Sequence, residues 1–127
     1  MKKFNYQTGK LGESMAQDFL IKKGYRLVEA NFQTRFGEID LIMAKNKKLI
    51  FVEVKLKTGD QFGSPEEMIN PAKIRRVQKM ATVFLQRHPK ISQQYPTCQI
   101  DAVCLVLNFD QTISRINHWE NIGNEMV

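Results

Sequence analysis

The 127 residues include only two cysteines, and neither belongs to a CxxC or Cys/His pattern. Cys98 and Cys104 fall on one apolar stretch. Positions six apart on a strand lie about 20 Å from each other, too far for a mutual disulfide. A disulfide framework and structural zinc are therefore excluded, and both thiols read as small core residues in a reducing compartment. No apolar run approaches the roughly 18 residues of a membrane span. The opening MKKFNYQTGK has two lysines but no apolar segment after them, so no secretory leader is expected and the expected location is the cytoplasm. Internal repeats, low-complexity tracts and linkers are also missing.

What remains is ordinary globular material, 43% apolar and 25% charged, which is enough for one domain over 1–127 with its own core. Lys and Arg outnumber Asp and Glu by 19 to 13, for a net charge of +6. That surplus favours a polyanionic partner and says nothing of the fold; solubility explains it as well.

Leu11, Met15, Ala16, Phe19 and Leu20 recur at helical spacing between Thr8 and Lys23, with Gly24 as a stop. YRLVEANF, 25–32, predicts a first strand, and the stretches near 37–44 and 49–56 predict a hairpin. KTGDQFGSPEE, 57–67, reads as a loop. Asn70 and Pro71 supply a cap and a first helical residue. The second helix carries Ile74, Val77, Ala81, Phe84 and Leu85 and ends before Pro89. HPKISQQYPT is read as a connection, and QIDAVCLVL (99–107) and TISRINHW as strands. The order helix, three strands, helix, two strands predicts an α/β domain with a mixed five-stranded sheet flanked by helices.

The hairpin carries charges where a core strand would have Val or Ile. With Asn46-Lys47 as a two-residue turn, the numbers of every cross-strand pair sum to 93. Asp40 then lies opposite Glu53, with Cβ atoms about 4.5–5.5 Å apart. Glu53 and Lys55 share one face; Ile39, Leu41, Met43, Ile50, Val52 and Val54 form an unbroken apolar layer on the other. Facing carboxylates repel unless something offsets them. A divalent cation with hard oxygen ligands does so, and Lys55, one pleat on, suits an amine that stabilises a developing oxyanion or holds an attacking water. Taken alone, E-x-K is as readily a solvated strand face whose two charges pair.

G-E-I-D-L-I followed by F-V-E-V-K resembles the PD-(D/E)xK metal-dependent nucleases, and within them the small YraN-like proteins related to archaeal-type Holliday-junction resolvases. The likeness runs along most of the chain: Gly9, Gly12, Glu13 and Ala16 on the first helix, Lys22, Gly24 and Tyr25, Asn31, Gly63, and the K-I-x-R-V stretch from Lys73 to Val77. The superfamily's proline is absent, since Glu38 and Ile39 precede Asp40, and Lys57 stands where relatives tend to carry Arg. The resemblance implies a restriction-endonuclease-like fold and phosphodiester hydrolysis of DNA, branched or structured, with a twofold dimer as a suitable assembly. It further implies that Glu13, Asp40 and Glu53 hold Mg²⁺ or Mn²⁺ and form the catalytic set with Lys55. Read from the helix alone, Glu13 is equally a first-turn acid that favours the helix dipole.

Lys73, Arg75, Arg76 and Lys79 crowd the first turns of the second helix, where cations oppose the dipole. Phosphate contacts explain them, with Lys57 as a further contact; a solvated surface does too. Trp119 and the phenylalanines read as core and not as a base-stacking platform, and His88 and His118 as structural or exposed. The rival to an endonuclease is a non-catalytic nucleic-acid-binding module on the same scaffold. A carboxylate-pair glycosidase fits poorly with Lys55 and the basic surface.

Overall fold

The computed structural model describes residues 2–59 and 61–123, with side chains from residue 9 onward. The chain runs α1 (Lys2–Lys22), β1 (Arg26–Thr34), β2 (Gly37–Lys45), β3 (Lys48–Thr58), a 3-10 turn (Pro65–Met68), α2 (Pro71–Arg87), α3 (Pro89–Gln94), β4 (Thr97–Leu107) and β5 (Ile113–Trp119). The five strands lie side by side in chain order. All neighbours are antiparallel except β3 and β4, which run parallel because α2 returns the chain to the start of the sheet. This is the expected mixed sheet flanked by helices, a restriction-endonuclease-like arrangement.

Local chemistry sets the elements. Asn46 takes a φ of 57°, as a two-residue hairpin turn requires, and pairing runs from Lys45↔Lys48 to Leu41↔Val52 in the register that sums to 93. The Asn70 side chain accepts the Lys73 amide at 3.0 Å, with Pro71 at the first helical position. The 89–94 segment, read as a connection, forms the short α3, and a single turn forms inside the 57–67 loop.

Each face of the sheet buries one helix. Val77, Met80, Ala81 and Phe84 of α2 pack on Ile42, Ala44, Leu49 and Phe51. Ala16 and Leu20 of α1 pack on Leu41, Met43, Ile50, Val52 and Val54. Ile39 departs from the expected layer: it joins the α2 side, although residues of equal parity on a regular strand share a face. The strand therefore rotates between Ile39 and Leu41, and Asp40 occupies the rotation. In β1, the pairs Ala30↔Leu41 and Phe32↔Ile39 bracket Asn31, which takes a φ of 56°. Both strands twist at the level of Asp40.

Two other expectations change. Cys104 is buried but Cys98 is exposed, because it lies at the open start of β4. Phe32, Phe51 and Phe84 are core and meet edge to face. Phe36, Phe62, Phe109 and Trp119 are exposed, since they sit on turns or on the edge strand β5. His118 is structural, with Nε2 2.7 Å from the fully buried Asp101. Among the described residues no helix is long and apolar enough to cross a membrane.

Candidate metal centre

The β2–β3 ladder stops at Leu41↔Val52, and a side chain takes over from the backbone. Oδ2 of Asp40 accepts the Val54 amide at 2.8 Å, a donor left free because Ile39 has rotated away. Burial and then the Glu53 charge push the Asp40 carboxyl up to about 8, against the opposing pull of the Val54 hydrogen bond. At neutral pH this carboxyl holds a proton unless a cation replaces it.

Glu13 reaches the same opening from α1. A Cβ on Gly12 would lie 3.0 Å from Cδ1 and 3.1 Å from Cβ of Leu56; glycine thus lets the helix settle against β3 and sets the next residue above the gap. Burial raises the Glu13 carboxyl, with Lys10 lowering it and Glu38 raising it further. Its Oε1 is buried and has no hydrogen-bond partner. Carboxylate oxygens of Glu13, Glu38 and Asp40 all lie within 4.8 Å of one another. Three hard oxygen donors, from side chains that include a buried oxygen without a partner, fit a divalent cation.

Glu53 shares this electrostatic field but faces the α2 side, where its Oε1 lies 3.2 Å from Lys55 Nζ, with both side chains largely buried. The pair lines a cleft of about 190 Å³ together with Phe36, Gly37, Glu38, Lys73, Arg76 and Val77. Burial alone would lower the Lys55 ammonium; Glu53, Lys73 and Asp40 outweigh it and raise it. Lys73 is lowered, first by its hydrogen bond with Lys55 and then by burial. Of the two amines, Lys73 gives up its proton first.

Of the acids expected to hold a metal, the fold thus gathers Glu13 and Asp40, adds Glu38, and pairs Glu53 with Lys55. Glu38 was legible: the alternation that puts Glu53 with Lys55 also puts Glu38 with Asp40. Lys73 and Arg76 line the cleft. Lys79 stands with its Nζ 4.2 Å over the Phe36 ring, and Lys57 donates to the Phe62 carbonyl at 3.4 Å. Arg75 is exposed on α2 and does not line the cleft.

Residues 12–105, which include every acid of the centre, match the model of uncharacterised protein family UPF0102. A UPF0102 protein of Syntrophomonas wolfei is 40% identical over 90% of this chain and 95% of its own. One from Caldicellulosiruptor bescii is 38% identical over 87% and 92%, and one from Clostridium beijerinckii 36% identical over 93% and 94%. The chain therefore belongs to UPF0102, the YraN family, within the PD-(D/E)xK nuclease superfamily.

Proposed function

We propose that this protein is a divalent-metal-dependent DNA endonuclease that hydrolyses phosphodiesters in branched or structured DNA of the cytoplasm. Two observations carry the reading: carboxylate oxygens of Glu13, Glu38 and Asp40 gather within 4.8 Å of one another, and Glu13 Oε1 is buried without a hydrogen-bond partner. Glu13, Asp40 and Glu38 would hold the cation, either Mg²⁺ or Mn²⁺, with Glu53 reaching it on release from Lys55. A bound cation supplies Lewis-acid polarisation of the scissile phosphate and a bound water of lowered pKa.

The chain's own groups do the rest. Lys55, kept charged by Glu53, stabilises charge developing on the phosphoryl oxygens. Lys73, which lines the same cleft, adds a second amine for the same phosphoryl oxygens. Arg76, Lys79 and Lys57 hold flanking phosphates, which makes binding strongly salt-dependent and largely blind to sequence. A twofold dimer would present two such clefts to a branched substrate.

The test is cleavage of junction, flap and plain duplex DNA with each metal. Turnover that survives Asp40→Ala sinks the reading. One observation favours the rival, a binding module without turnover: the closed Glu53–Lys55 pair. It predicts salt-sensitive binding, no cleavage and no stabilisation by Mn²⁺.

A further inference from the structure

Phe62 lies in the loop between β3 and the 3-10 turn, with 88% of its surface exposed. Single exposed rings are ordinary, so exposure decides nothing by itself. Three further features set this one apart. Its loop is anchored: Lys57 Nζ donates to the Phe62 carbonyl at 3.4 Å, and at the loop's start the Gly59 amide donates to the Leu107 carbonyl at 2.9 Å. Its position extends the cleft, because Glu53, Lys55 and Lys57 project in turn from one face of β3 and the loop rests on the last of them. It also has company. Phe109, 81% exposed, sits on the turn after β4, the parallel neighbour of β3, with its Cζ 3.8 Å from where a Gly59 Cβ would be.

Rings held in water beyond the Lys55 and Lys57 amines complement a ligand with flat apolar faces and an anionic backbone. A polynucleotide whose bases are unstacked offers both. The interior of a duplex keeps its base faces stacked and offers none. We propose that Phe62, with Phe109 on the adjoining turn, is a nucleobase-stacking subsite that selects for unpaired nucleotides beside the cleft. This rests on the nucleic-acid reading above, and it names the kind of nucleotide that reading leaves open.

The test needs no turnover. In EDTA, anisotropy of dye-labelled oligonucleotides gives affinities for a single strand and a blunt duplex of equal length, with wild type, Phe62→Ala and Phe62→Trp. Phe62→Ala is expected to lose about tenfold on the single strand, the scale of one stacking contact, and less than twofold on the duplex. Phe62→Trp is expected to keep single-strand affinity and to show fluorescence quenching beyond that of Trp119 in the wild type. Equal single-strand affinity of wild type and Phe62→Ala, or an equal loss on both DNAs, overturns the subsite and leaves the nuclease reading standing. Wild type that binds neither DNA overturns both. Sedimentation provides the remaining outcome: a dimer that Phe62→Ala turns into a monomer makes the ring a contact between copies of this chain, and the subsite falls.

Discussion

Asp40 accepts the backbone amide of Val54 at 2.8 Å, so a carboxylate replaces a rung of the β2–β3 ladder where the sheet opens. The hydrogen bond fixes the side chain, but burial and Glu53 make its charge unfavourable. The unfolded chain releases this proton near pH 3.8, whereas the fold keeps it up to about 8. Since the unfolded state binds fewer protons in that window, stability of the metal-free protein falls as pH rises through it.

Asp40→Asn keeps an acceptor for the Val54 amide and removes the charge. Thermal melts in EDTA at pH 8 should place the variant about 1–3 kcal/mol above wild type, an ordinary gain when a strained functional group is neutralised. The gain should vanish near pH 4. Added Mn²⁺ should raise the wild-type melting temperature and leave the variant unmoved. A variant that melts lower at pH 8, or responds equally to Mn²⁺, contradicts the account of the centre.

The amines divide by position. Lys55→Met and Lys73→Met should each slow single-turnover cleavage by about 10²-fold or more while DNA binding changes little, because their charge is needed only in the transition state. Arg76→Ala should weaken binding on every sequence and flatten the salt dependence by about one phosphate contact. Arg75→Ala, outside the cleft, should do neither. Equal effects of Arg75 and Arg76 would move the DNA path off the cleft.

Most of the fold was legible because periodicity and turn chemistry agree: Asn46 at the hairpin, Asn70-Pro71 at α2, alternation along β3. The register summing to 93 was legible for the same reason. The rotation at Asp40 was not, since it arises from two strands twisting together around Asn31 and Asp40, and alternation assumes a regular pleat. That assumption misplaced Ile39. Glu13 entered only through the resemblance, because the approach of α1 at Gly12 depends on packing against Leu56. The exposed aromatics were misread as core because composition does not tell a ring under a helix from one on a turn.

Glu66 gives a prediction separate from the centre. Arg115 donates to both of its oxygens at 2.9 Å, and the Trp119 indole donates at 3.0 Å, tying the 3-10 turn to β5. The Arg115 hydrogen bonds, against some opposing burial, hold the carboxyl down at about 2. A lowered carboxyl stabilises the fold above its unfolded value of about 4.5, and that contribution is lost as pH falls toward 2. Glu66→Gln should therefore cost about 1 kcal/mol at pH 7, a figure discounted for the partial exposure of the pair. Urea titrations should show the gap closing between pH 4.5 and 2. A gap independent of pH would mean that packing, and not charge, links these elements.

The two glycines of α1 should respond in opposite ways. A Cβ on Gly9 meets nothing within 4 Å, so Gly9→Ala gains helix propensity and should stabilise by about 0.5–1 kcal/mol. At Gly12 the same atom presses on Leu56 at 3.0 Å, and Gly12→Val adds two further carbons with nowhere to go. That change should destabilise by about 1–3 kcal/mol and lift Glu13 away from Asp40. The metal response then separates packing from function: Gly12→Val should lose most of its Mn²⁺-induced rise in melting temperature, while Gly9→Ala keeps the full wild-type rise. If Gly12→Val is destabilised but still responds to Mn²⁺ like wild type, Glu13 is not a ligand, and the cation belongs to Glu38 and Asp40 without it.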